Sequence, residues 1–335
     1  MSEFVSSRVT DGFPRLPLEG HLDLTYRCNN SCRHCWVRLP ADTRQRQAEL
    51  SAGEIESIAD QARAMGARRW SLSGGEPLLR DDFEHVFDLL TRRAAGYTLN
   101  TNGTLITPKT ARLLRRDGLR LISLYGATPG GYAVVTGNPD GFAAAMQGLA
   151  YLREARVGFV VQLMPLQANW HEWEAMVALA RSLSPTWRIG ASWLRFSSSR
   201  SEPRNCEIEA QRLTPRDMVA LGQPVPLPGE TALHAGQCGR LTRGDDRLLA
   251  RCVAERRTFH IDPYGGMSFC SYIKDPELRY DLRRGSFRDA WDRFIPSIAD
   301  RVRGGEEYRA HCGSCAPPRT DRAQAVRGFP RCAAT

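Results

Sequence analysis

His21-Leu-Asp-Leu-Thr-Tyr26-Arg-Cys28-Asn-Asn-Ser-Cys32-Arg-His-Cys35 joins a short strand directly to a loop that carries three cysteines. Residues 21–26 alternate apolar and polar with the two-residue period of a strand. Working outward, short apolar runs recur at 69–72, 97–101, 119–124, 158–164 and 188–196. Between them lie amphipathic stretches with helical spacing. Ser51-Ala-Gly-Glu54 is a capping box that opens a helix to about residue 65, and further helices are expected at 81–93, 107–116, 141–154 and 170–183. Strict strand–helix alternation implies parallel strands with right-handed crossovers. Six such units make an α/β fold, a partial (β/α)6 barrel open on one side rather than the eight units of a closed one.

The pattern changes after residue 197. Residues 198–250 are rich in Ser, Pro, Arg and Gly and read as a linker with one helix after Thr214. Residues 258–272 alternate around Pro263-Tyr-Gly-Gly266, a hairpin signature, and a helix is expected at 286–301 before a cysteine-rich tail. The expected division is a barrel over 1–197, a linker over 198–250 and a small C-terminal domain over 251–335.

The 335 residues are 42% hydrophobic and 25% charged, an ordinary soluble composition, and no apolar run reaches the ~18 residues of a membrane span. Residues 1–11 lack the basic and apolar regions of a secretory signal, so a cytoplasmic location and no membrane partner are expected. In a reducing compartment the ten cysteines read as metal ligands or reactive thiols, not disulfides. The net charge of +9 comes almost wholly from scattered arginines. No basic block occurs, so no nucleic-acid partner is expected.

Cys28, Cys32 and Cys35 can hold three irons of a cubane and leave the fourth without a protein ligand. Iron–sulfur clusters normally take four cysteines, and a structural zinc site also closes with four ligands. His34 could in principle complete such a set, but it adjoins Cys35 and is poorly placed to share one metal with it. The missing ligand reads as a position left open for a cofactor or substrate.

These residues resemble the radical S-adenosylmethionine (SAM) superfamily, whose signature is C-x3-C-x-aromatic-C, with His34 in the aromatic position. Gly74-Gly75-Glu76-Pro77, past the second strand, is similar to the family's GGEP segment, which contacts the methionine amino group. Thr101-Asn102-Gly-Thr104 and Ser123-Leu-Tyr-Gly126 match segments that line the ribose and carboxylate, and Asn169 falls at another polar contact. All follow expected strands at their C-terminal ends, where barrel sites are built. The resemblance implies one SAM-cleaving 4Fe–4S cluster, SAM, and a 5′-deoxyadenosyl radical that abstracts hydrogen from an unactivated C–H bond. A reducing partner such as ferredoxin or flavodoxin is implied too.

Cys252, Cys270, Cys312 and Cys315 resemble the twitch/SPASM extension of these enzymes, a small domain with an auxiliary 4Fe–4S cluster. The dense cysteine array of a full SPASM domain is absent, so the one-cluster form is expected. Cys238 or Cys332 could substitute for a ligand; a zinc ribbon is the alternative, with Cys252 and Cys270 too far apart for a knuckle. An auxiliary cluster that accepts an electron implies oxidation or crosslinking, whereas a thiol that returns a hydrogen atom implies epimerisation. Cys238 is the candidate donor, with Cys206 and Cys332 the other spare thiols. The barrel through Arg212-Leu-Thr-Pro215 most resembles enzymes that mature ribosomally made peptides. About 20 residues precede the first strand, so a separate leader-peptide-binding protein is expected. The alternatives are a small-molecule (sugar or aminocyclitol) dehydrogenase or epimerase in natural-product biosynthesis, and a non-catalytic Fe–S binding protein.

Overall fold

The first strand, β1 (Glu19–Thr25), leads into two short bridging strands, β2 (Arg27–Cys28) and β3 (Leu39–Pro40), that flank the cysteine loop. The computed structural model describes residues 15–190, 201–214, 216–217, 221, 247, 249–273 and 275–303. Five strand–helix units follow in order: α1 (Ala52–Ala64), β4 (Arg69–Gly74), α2 (Phe83–Thr91), β5 (Gly96–Thr101), α3 (Pro108–Leu113), β6 (Gly118–Leu124), α4 (Pro129–Thr136), α5 (Gly141–Glu154), β7 (Val160–Leu163), α6 (Trp173–Leu183) and β8 (Trp187–Ile189). Strands β1, β4, β5, β6, β7 and β8 pair parallel in that order and form the six-stranded partial barrel.

A finding beyond the sequence reading lies at the other edge. The hairpin β9 (Thr258–Ile261) and β10 (Gly266–Ser268), with β11 (Tyr280–Asp281), extends the barrel sheet, because β9 pairs parallel with β1. Gly265 makes the turn at φ +92°, a conformation that favours glycine. A helical run over 287–301, with a π turn at Ala290–Phe294, packs behind this extension.

Among the described residues three helices were not expected, a short one over Ala250–Glu255 and two that bear on the site. α4 holds Gly130 and Gly131 in its first turn, which reads as a loop, yet Thr128 caps it by accepting the Gly131 N–H. α7 (Glu202–Glu209) lies inside the expected linker, and its Pro203 sits in the first turn, where proline is tolerated. The expected strand at 188–196 is described only as far as residue 190, and most of the segment after Thr214 lies outside the described residues.

Strand parity gives the sheet two unlike faces. Leu22, Leu24, Trp70, Leu72, Tyr97, Leu99, Ile122, Leu124, Val161 and Leu163 join Phe259 and Ile261 in one core beneath the helices. α1 adds Ile55, Ile58, Ala59 and Ala62, a single helical stripe. The alternate positions face the barrel interior and are mostly polar. The register aligns His260, His21, Ser71 and Thr98 in one row, and Ser123, Gln162 and Arg188 in another. Parallel strands buried on both faces read as continuous apolar runs; here the interior face is polar. No helix among the described residues is long and apolar enough to cross a membrane.

Candidate functional site

The cysteine loop leaves the C-terminal end of β1 and is anchored on three sides. Arg27 forms a bidentate pair with Glu49, which also accepts from Thr25, and both charged side chains are buried. The N–H groups of Ser31 and Arg33 donate to the carbonyls of Thr136 (2.6 Å) and Val135 (3.1 Å), the otherwise unpaired end of α4. The amides between the first two cysteines complete the anchoring. Asn29 donates to Thr104 at 2.7 Å and accepts from Asn102 at 2.9 Å, while Asn30 accepts from Asn138 at 2.8 Å.

Cys28, Cys32 and Cys35 thus share one anchored loop. The Asn30 N–H reaches the Cys28 sulfur at 3.4 Å, and the Asn102 amide lies at 3.8 Å from it. Burial pushes the Cys28 thiol up to about 12 and raises Cys32 and Cys35 as well. Such thiols stay protonated until a metal displaces the proton. Among the described residues, no three His, Cys, Asp or Glu side chains converge on one metal-ion position. The donor set, three sulfurs on one loop, suits a cubane with one iron left open. His34 packs against Tyr125, ring centroids 5.5 Å apart, and its buried Nδ1 has no hydrogen-bond partner. Burial, reinforced by Arg204, pushes the imidazole down to about 4, so the ring is neutral.

Gly74, Gly75, Glu76 and Pro77 lie beside that loop. The Gly75 and Glu76 N–H groups donate to the carbonyls of Thr25 (2.7 Å) and Arg27 (2.8 Å). A Cβ at Gly74 or Gly75 would run into those same carbonyl oxygens, and Gly74 has φ +123°. Glycine is therefore required by the backbone packing itself. Glu76 is wholly buried and accepts from the Thr101 hydroxyl (2.7 Å) and the Asn102 (2.8 Å) and Leu78 (3.1 Å) N–H groups. Thr101 and Asn102 are held to the GGEP segment by this one carboxylate. Ser123 lies half-buried on the interior face of β6. Asn169 is turned onto backbone: it accepts from Leu166 N–H and donates to the Tyr125 and Met164 carbonyls. Both its donors are committed there, so its side chain braces two loops.

Of the expected second set, Cys252 is exposed on a short helix, Ala250–Glu255, and Cys270 is buried after β10. Cys312, Cys315, Cys238 and Cys332 lie outside the described residues. Cys206, expected as a spare thiol, is disulfide-bonded.

Sequence reasoning missed how the hairpin is tied to the barrel. Arg279 donates to Nδ1 of buried His260 at 2.9 Å, so Nε2 carries the proton and donates to Asp23 of β1, also at 2.9 Å. Arg279 further grips the carbonyls of Ile273 (2.7 Å) and Gly266 (3.1 Å) and pairs with Asp262. A cavity of about 540 Å³ opens between the cysteine loop and this hairpin, lined by Tyr26, Cys35, Trp36, Arg204, Tyr264 and Arg279 among others. No local motif marks these residues, because strands 237 positions apart supply them.

Comparison with known proteins adds relatives to this geometry. The profile of the radical SAM superfamily matches residues 22–180. Over 310 residues the chain is 31% identical to the mycofactocin maturase MftC of Mycobacterium tuberculosis, spanning 88% of this chain and 74% of that protein. It is 25% identical over 308 residues to the AdoMet-dependent heme synthase of Methanosarcina barkeri, spanning 88% and 86%. Among solved structures, Streptococcus suis SuiB bound to S-adenosylmethionine has a similar fold, with a TM-score of 0.60 at 16% identity over 90% of this chain and 71% of that one.

Proposed function

Since the chain belongs to the radical S-adenosylmethionine superfamily, we propose that it is a maturase that oxidises or crosslinks a ribosomally made peptide. The observation that carries this reading is the 31% identity to a mycofactocin maturase across 88% of the chain. Cys28, Cys32 and Cys35 would hold the SAM-cleaving cluster. Such a cluster would supply reducing electrons for the cleavage of SAM. Gly74 to Pro77, Thr101, Asn102, Ser123 and His34 surround SAM, and Asn169 braces the loops behind them. The polar interior face positions the peptide's reacting residue, and the barrel wall keeps water and thiols from it. The 540 Å³ cavity is within the size range of small-ligand sites. Cys252, Cys270, Cys312 and Cys315 hold an auxiliary cluster, and a ferredoxin or flavodoxin supplies electrons.

The similarity to a heme synthase favours a second reading, oxidation of a small molecule. Mass spectrometry separates the two. The anaerobically reconstituted enzyme is incubated with SAM, reductant and the short peptides encoded beside its gene, in water and in deuterium oxide. The proposal expects a peptide two hydrogens lighter with no deuterium on carbon. A peptide left unmodified, while a small molecule from the same gene neighbourhood is consumed, overturns it. One deuterium gained per peptide, lost in Cys238→Ala, makes the enzyme an epimerase.

A further inference from the structure

The helix α7 lies beyond the segment that the family profile matches, yet it grips the cysteine loop in both directions. Arg204 and Glu207, three residues apart, share one face of the helix. From Arg204, Nη2 donates to the carbonyl of Cys35 at 2.6 Å and to that of Cys32 at 3.2 Å, while Nη1 donates to Glu207. In return the Glu207 carboxylate faces the loop's own cations, Arg33 at 3.8 Å and Arg38 at 3.7 Å. Arg38 closes the circuit by donating to the Ser31 carbonyl at 3.1 Å. Charge and hydrogen bonding are thus exchanged reciprocally between a helix outside the barrel and the loop that carries three thiols.

The two contacts differ in weight. Arg33 and Arg38 meet Glu207 at long, partly exposed distances, where ion pairs contribute little. The Arg204 side chain is only 15% exposed, and its guanidinium forks, with Nη2 on the two loop carbonyls and Nη1 on Glu207, which the single nitrogen of a lysine cannot reproduce. Those carbonyls belong to two of the three cysteines, so movement of the fork moves the sulfurs. Of the three arginines in this network Arg204 is the most buried, at 15% exposure against 29% for Arg38 and 45% for Arg33, so water screens its charge least. Positive charge beside an iron–sulfur cluster favours its more negative, reduced form.

We propose that Arg204 is a positioning residue for the SAM-cleaving cluster: its fork fixes the shape of the cysteine loop, and its charge raises the cluster's reduction potential. This rests on the reading of Cys28, Cys32 and Cys35 as cluster ligands. Lysine keeps the charge and loses the fork, whereas glutamine loses both, so the two effects separate.

Two measurements on the full chain test it. Hydrogen exchange of the apoprotein reports the loop over residues 28–38 without any cluster. Redox titration of the reconstituted, SAM-bound protein, followed by electron paramagnetic resonance, reports the potential. Arg204→Gln and Arg204→Lys are each expected to speed loop exchange roughly 10-fold or more. Only Arg204→Gln is expected to lower the midpoint potential, with Arg204→Lys near wild type. Unchanged loop exchange in both variants, or an unchanged potential in Arg204→Gln, overturns the proposal. If wild-type protein binds no cluster through the three cysteines, it is the ligand reading that fails, and apoprotein exchange still decides whether the clamp exists. Melting temperatures of both variants near wild type show that α7 has not simply unfolded the chain.

Discussion

Glu76 shows how much rests on one carboxylate in the GGEP segment. Burial pushes it up to about 7, against three hydrogen bonds that pull the other way. Its two oxygens receive three donors, so glutamine in its place aims an amide N–H at another donor. Glu76→Gln is expected to cost roughly 1–3 kcal/mol, the range for an unsatisfied buried group, read from urea unfolding of the apoprotein. The folded-state pKa lies above the 4.5 of an ordinary glutamate, so the folded protein binds the proton more tightly. Its contribution is complete below pH 4.5 and is lost as pH rises towards 7, a slope that Glu76→Gln should remove. At this scale the spacing of the three cysteines was legible in the sequence, and the GGEP glycines were picked out by their resemblance to a family motif. That Glu76 holds Thr101 and Asn102, and that Asn169 faces backbone, was not legible, since a side chain's partners lie on other strands.

The capping box of α1 was legible as an element and forms as expected, with Ser51 and Glu54 bonding each other's backbone N–H. Its second use was not: Glu54 also pairs with Arg283, beyond β11, at 2.7 Å. This pairing, with the Ser51 bonds, holds the Glu54 carboxyl down at about 2. Its stabilisation is present above pH 4.5 and is lost as pH falls towards 2. Glu54→Gln is expected to lower the unfolding midpoint modestly at pH 7, as befits so exposed a pair, with the difference from wild type closing as pH falls from 4.5 towards 2. A steep acid limb surviving in the variant would assign it to other carboxylates. The helices α4 and α7 were missed for the same reason. Gly130, Gly131 and Pro203 are poor helix formers in a helix interior, but all three sit in first turns, where propensity matters least. Both helices hold the cysteine loop, so the site's scaffold was less legible than its ligands.

Across the molecule, the six-strand alternation and the hairpin could be read from hydrophobic period, whereas the pairing of β9 with β1 could not, because no local pattern encodes it. If both cysteine sets bind clusters, the reconstituted chain should hold about eight irons, and Ala at Cys28, Cys32 and Cys35 should remove about half together with SAM cleavage. Cleavage that persists in that triple variant, by chromatography of 5′-deoxyadenosine, would refute the assignment of the first loop. The β1–β9 seam also orders events during synthesis. β1 emerges early and finds β4 soon after, but its other edge waits for residues 258–261. At ribosomal speeds of about 5–20 residues per second, the 237 positions between Asp23 and His260 leave that edge unpaired for roughly 10–50 s. A bare strand edge is a template for pairing with other chains. The opening segment of the barrel is thus the last to be sealed, and the nascent protein is most exposed to self-association before its hairpin has been made.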